Sequence, residues 1–191
     1  MLRAVTDPKS ARLDLMTPQD KRLHICIVCT ENICRSPIAA LVLGKHVRRE
    51  GLADRVTVSS AGVEDWHVGK PADHRAVSVL RLSDYPVIHT AKKIDDRDLA
   101  ADLLLAMDSG HYQVLARMLG ESSRLRMFRS FAPQTLTQQD VPDPYHGEPQ
   151  GFDEVLSMVE DGTVGILEWI RETLGIYPGK RTTETVGDTR C

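Results

Sequence analysis

A short apolar, β-branched run, LHICIVC at 23–29, is followed, after six intervening residues, by Ser36-Pro37 and a helical pattern, IAALVLGKHVRREG. A strand without polar alternation is buried on both faces, so it belongs inside a sheet covered from both sides. The rest of the chain repeats this alternation. RVTVSSAG (55–62), LLLAM (103–107) and LRMF (125–128) read as further strands. Helical patterns follow at 71–83, at 109–119 and, beginning GFDEVLSMVEDG, at 151–174, the last with an irregularity expected near Gly162 and Gly165. Strands alternating with helices predict an α/β protein with a parallel sheet flanked by helices on both faces. Ligands in such sheets bind beyond the carboxyl ends of the strands.

The chain has 191 residues, a length expected of one domain, and 24 Lys and Arg against 27 Asp and Glu give a net charge of −3. That balance lacks the basic excess of a nucleic-acid or anionic-membrane binder. No apolar run reaches the roughly 18 residues of a membrane span, and the N-terminus lacks the apolar core of a secretory signal. The expectation is a cytoplasmic protein, monomeric, without nucleic-acid or membrane partners; export without a signal stays open. Residues 1–22 read as a flexible extension, 23–174 as the domain and 175–191, ending in Cys191, as a polar tail.

The chemistry concentrates in Cys29-Thr30-Glu31-Asn32-Ile33-Cys34-Arg35-Ser36-Pro37. If the five residues between Cys29 and Arg35 curl into an arc, their amides converge with a helix N-terminus on one point, a site for a tetrahedral oxyanion. Arg35 can grip two oxygens with its planar fork. The same positive field favours the thiolate of Cys29, to which Ser36 can donate a hydrogen bond. A second element is VPDPYHG (141–147), inside an aperiodic loop at 129–150, where two prolines restrain Asp143. A carboxyl group there can protonate a leaving oxygen and later deprotonate water. Taken separately, C-x(5)-R recurs by chance and DPY is commonly a plain turn. Cys26-Ile27-Val28-Cys29 formally reads C-x-x-C, but residues three apart on a strand face opposite ways, so Cys26 is expected in the core and zinc is not. His89 or His74 could join a supporting network or sit on the surface, and Arg124, Arg126 and Arg129 read as a solvated face or rim charges.

V-C-T-E-N-I-C-R-S-P, Ser60-Ala61-Gly62 and D-P-Y-H-G together resemble the low-molecular-weight protein tyrosine phosphatases across residues 23–174. Trp66-His67-Val68-Gly69, Ala72-Asp73 and Arg75-Ala76 are most like actinobacterial, particularly mycobacterial, members. The resemblance implies a four-stranded parallel sheet in order 2-1-3-4 and hydrolysis of protein phosphotyrosine through a phosphocysteine, with no cofactor and no metal. By position, Cys29 is the nucleophile, Arg35 the transition-state clamp and Asp143 the general acid and base. Thr30, Glu31, Asn32, Ile33, Cys34, Arg35 and Ser36 form the phosphate-binding loop. Asn32 shapes that loop, and Trp66, Tyr145 and His146 form the substrate rim. From the residues themselves, a curled loop brings the Cys34 sulfur near Cys29 as a redox partner, the alternative being that Cys34 simply packs. Phosphotyrosine-containing proteins are the implied partners.

The sequence departs from the family at Glu31, where glycine is usual, and His146 replaces what is often a second aromatic. A left-handed backbone at position 31 would cost glutamate roughly 1–2 kcal/mol; the expectation is an outward carboxylate with the amide still serving the phosphate. Rival readings are a phosphopeptide-binding pseudophosphatase, a thiol redox sensor using Cys29 and Cys34, an arsenate reductase and a protein-arginine phosphatase. Family-like arsenate reductases use downstream cysteines, and none lies between Cys34 and Cys191; arginine phosphatases tend to have threonine where this chain has Ile33.

Overall fold

A computed structural model of the protein describes residues 21–132 and 139–176. Four parallel strands form the sheet: β1 (Leu23–Cys29), β2 (Val56–Gly62), β3 (Leu103–Ala106) and β4 (Leu125–Met127), in the order β2-β1-β3-β4. Cys29 stands opposite Gly62 and Val28 opposite Ala106, so the carboxyl ends of the three strands meet at one edge. The helices are α1 (Arg35–Arg49), α2 (His74–Leu82), α3 (Asp96–Leu99), α4 (Ser109–Leu119) and α5 (Gln150–Thr173), with a 3-10 turn at Phe128–Phe131. The readings of residues 1–20 and 177–191, Cys191 included, lie outside the described residues.

The unbroken apolar character of β1 has its reason in two cores, one on each sheet face. Ile25, Ile27 and Cys29 pack with Ile38, Val42 and Leu43 of α1 and Val155 and Val159 of α5. Cys26 and Val28 face the other way, onto Leu104, Ala106 and Leu115. Cys26 is fully buried, as its strand position predicts, and burial pushes its thiol up to about 12, consistent with an inert core residue.

Three expectations need correction. Helix α5 runs unbroken through Gly162 and Gly165. These glycines are contact points: a Cβ at Gly162 would lie 2.7 Å from the Phe128 ring, and one at Gly165 would meet the Phe131 carbonyl. The loop expected from 129 therefore begins as a 3-10 turn fitted against α5. Arg124, Arg126 and Arg129 are not a solvated face. Arg124 donates to the carbonyls of Leu99 and Ala101, Arg126 lies 3.8 Å over the Phe131 ring, and Arg129 donates to the carbonyl of Asp140. Short α3 escaped the sequence reading because four residues carry no periodicity; a reciprocal Asp95–Asp98 capping box fixes it.

Candidate active site

Residues 30–34 curl between the end of β1 and the start of α1. Helix α1 begins at Arg35 with no side-chain cap and no acidic residue in its first turn. None of the backbone N–H groups of residues 31–34 is matched with an acceptor among the described residues. Uncapped amides at a helix N-terminus form a place for an anion. The curl needs one left-handed residue, and it is Asn32, at φ 60°, not Glu31. Asparagine tolerates that region better than most side chains. Its amide donates to Ser36 Oγ (2.8 Å) and Ser60 Oγ (2.9 Å), its side-chain oxygen accepts from Lys92 N (3.0 Å), and its carbonyl lies 2.8 Å from His89 Nε2. The loop also passes close to the end of β2, where a Cβ at Gly62 would lie 2.7 Å from the Thr30 carbonyl oxygen. Only glycine permits that approach.

Cys29 Sγ lies 3.0 Å from Ser36 Oγ. Because that hydroxyl already accepts from Asn32, its hydrogen is available, and the sulfur is nearer than the alternative acceptor, Ala61 O at 3.4 Å. Arg35 is buried and gripped from several sides. NH1 donates to Asp108 Oδ2 (2.7 Å) and Val141 O (3.1 Å), and NH2 donates to Asp143 Oδ2 (2.9 Å) and Thr30 Oγ1 (3.3 Å). Asp143 arrives on a tethered segment. Val141 is buried and donates its N–H to Met107 O beyond β3, while Asp140 accepts from Ser109 at the start of α4. Asp143 Oδ1 accepts from Tyr145 N (3.1 Å), which closes a local turn.

A cavity of about 60 Å³ is lined by Cys29, Thr30, Glu31, Ile33, Cys34, Arg35, Asp143, Tyr145 and His146. Nucleophile, cation and carboxylate expected from the sequence therefore meet on one small pocket. Tyr145 and His146 stand edge to face at its mouth, with Arg75 5.5 Å from the Tyr145 ring and fixed there by Asp73. Trp66 does not line the cavity; it projects from the neighbouring loop, 68% exposed. Burial, reinforced by Asp73 and Cys29, pushes the Cys34 thiol well above the usual range. Of the two histidines, His89 supports Asn32, whereas the His74 side chain is exposed.

Glu31 is not outward either. Its Oε2 meets His67 Nδ1, and both atoms are shielded from solvent.

Sequence reasoning missed Asp108 and His111. Asp108 caps α4 by accepting from His111 N, and His111 Nε2 lies 2.9 Å from Thr30 Oγ1. Burial alone would raise the Asp108 carboxyl, but His111 and Arg35 outweigh it and hold it well below the usual range. An N-capping aspartate at the carboxyl end of a strand was the available signal.

The family model for low molecular weight phosphotyrosine protein phosphatase matches residues 24–175. The chain belongs to that family. It is 45% identical over 153 residues to low molecular weight protein-tyrosine phosphatase A of Mycobacterium tuberculosis, covering 80% of this chain and 94% of that protein. The crystal structure of an Entamoeba histolytica protein tyrosine phosphatase superimposes with a TM-score of 0.74 at 29% identity, covering 78% of this chain and 97% of that one. A structure of the arginine phosphatase YwlE, a cysteine-to-serine variant with its active-site serine phosphorylated, superimposes with a TM-score of 0.71 at 27% identity. It covers 81% of this chain and 100% of that one. The protein is thus a phosphatase of the low-molecular-weight protein-tyrosine class, built on the four-stranded parallel sheet of that family.

Proposed function

We propose that the protein hydrolyses phosphotyrosine on proteins in two steps, through a phosphoryl group carried on Cys29 and without a metal ion. The observation that supports this is the convergence of Cys29, Arg35 and Asp143 on a single small cavity beside uncapped amides. In the first step the Cys29 thiolate attacks phosphorus, the bond to the tyrosyl oxygen breaks, and Asp143 gives that oxygen its proton. In the second, the Asp143 carboxylate takes a proton from water. The oxygen of that water attacks phosphorus, and the S–P bond breaks to return the thiolate and release phosphate. Arg35 and the loop amides carry the charge of the equatorial oxygens in both transition states, the task a metal performs elsewhere.

In the free enzyme Arg35 holds Asp143 through NH2. A phosphate dianion takes over the guanidinium fork and frees the Asp143 carboxyl to face the leaving oxygen as its proton donor. Tyr145 and His146 at the mouth suit a flat phenyl ring, and Ile33 at the wall favours tyrosine over arginine as the phosphorylated residue. A thiolate nucleophile fits a reducing, cytoplasmic setting.

The test is hydrolysis by the purified protein in excess chelator, comparing an aryl phosphate, a phosphotyrosine peptide and a phosphoarginine peptide. Turnover of the first two, abolished by Cys29→Ser, is expected. Preference for phosphoarginine transfers the assignment to the arginine phosphatases. Phosphate binding without turnover marks a pseudophosphatase.

A further inference from the structure

Glu31 places a carboxylate in a loop whose purpose is to receive a phosphate dianion, and it lines the same cavity as Cys29 and Arg35. An acid so placed would weaken every anionic ligand unless its charge were answered locally. The answering group stands in the adjoining loop. Glu31 Oε2 lies against His67 Nδ1; neither atom reaches solvent, and among the described residues neither has a hydrogen-bond partner. We propose that Glu31 and His67 form a charge clasp that preserves the phosphate affinity of the Cys29 loop; this rests on the phosphatase mechanism above.

The two loops are already registered by their backbones. Val63 N donates to Cys29 O (3.0 Å) and Glu64 N to Thr30 O (2.8 Å), which sets the entrance loop alongside the phosphate loop. A turn closed by Val68 N to Asp65 O (3.1 Å) follows. Within it Trp66 and Val68 project outward, while His67 turns in to the carboxylate. Two acids of the flanking segments, Asp65 and Asp73, do not compete for it. Asp65 is held by Lys93 (3.0 Å) and Asp73 by Arg75 (3.0 Å). The imidazole edge set against the carboxylate offsets its charge and reduces the repulsion felt at the phosphate position. The clasp also fixes the residue next to Trp66, so it joins the anion site to the exposed aromatic beside it.

His67 is a positioning residue in this account, because it acts on the substrate through Glu31. Repulsion of the phosphate is present in ground and transition states alike, so breaking the clasp raises KM and leaves kcat nearly unchanged. The experiment is a double-mutant cycle on inorganic phosphate binding, read by calorimetry and by inhibition of aryl-phosphate hydrolysis, with thermal melting of each variant as a folding control. His67→Ala is expected to weaken phosphate binding by about tenfold and to raise KM in parallel. His67→Gln, which keeps a donor, is expected to lose less. Adding Glu31→Gln or Glu31→Gly to His67→Ala is expected to return affinity to within about threefold of the parent, because the uncompensated carboxylate is gone. A purely structural role predicts the reverse, with the double variant as weak as the single or weaker. That result, or a His67→Ala variant that binds phosphate as the parent does, overturns the clasp and leaves the phosphatase mechanism standing. A parent protein that takes up no phosphate overturns both.

Discussion

Arg35 is held by Asp108, Val141, Asp143 and Thr30 before any ligand arrives, and in the proposed mechanism phosphate displaces the contact with Asp143 while Asp108 and Val141 keep the guanidinium aligned. Lysine would keep the charge and lose the fork. Arg35→Lys is therefore expected to reduce kcat by at least about a hundredfold, the scale of removing one preorganised donor; steady-state kinetics on an aryl phosphate measures it. Asp143→Ala is expected to slow hydrolysis of phosphotyrosine far more than hydrolysis of esters with acidic leaving groups, which depart without a proton. Equal losses across a leaving-group series would place the acid elsewhere. Residue chemistry was the most legible level in the sequence. Cys29, Arg35 and Asp143 were readable because they lie in two short contiguous stretches, and the structure brings them to one cavity. Glu31 was not readable, because its orientation depends on His67, thirty-six residues away.

The elements around the loop do the holding, and their role was mostly hidden. Ser60, His89, Lys92, Asp108 and His111 reach the phosphate loop from β2, from the segment before α3 and from α4. Sequence spacing cannot show that convergence; sheet order can. Burial holds His89 below the ordinary histidine value, against a smaller opposing effect of its contact with the Asn32 carbonyl. A group with a depressed folded pKa contributes stability that is complete above its unfolded value, about 6.5, and is lost as pH falls through the lower folded one. The melting temperature is thus expected to fall on acidification below about pH 6.5, and His89→Gln to flatten that part of the profile. At the far face, Gly165→Ala should gain helix propensity of about 1 kcal/mol, yet the backbone of Phe131 stands where the methyl must go. A net loss of about 1–3 kcal/mol is expected in denaturant unfolding. A gain would mean that the 3-10 turn yields easily.

On the scale of the whole molecule, the site is a junction: β1 and α1 flank the phosphate loop, β2 approaches it at Gly62, and the segment beyond β3 brings Asp143. A phosphate analogue bound there ties together parts of the fold that must separate on unfolding. At about a hundred times its Kd, vanadate is expected to stabilise the native state by about 2.7 kcal/mol, seen as a raised melting temperature. Cys29→Ser should still bind inorganic phosphate, whereas Arg35→Lys should lose most of that shift. The α/β class was legible because β1, buried on both faces, has no polar alternation. The strand order came with the resemblance, because alternating elements do not by themselves say which strand neighbours which. The straight course of α5 was unreadable for a different reason, since a glycine required by a tertiary contact and one that breaks a helix look alike in sequence.

The proposed mechanism stands or falls on passage of the phosphoryl group through Cys29. A rapid denaturing quench at alkaline pH during turnover of an aryl phosphate, followed by peptide mass spectrometry and phosphorus NMR, reads that step. A phosphoryl group on the sulfur of the peptide containing Cys29 is expected, absent in Cys29→Ser and longer-lived in Asp143→Ala. Turnover with no phosphoryl group on Cys29, or with one on another residue, would contradict it.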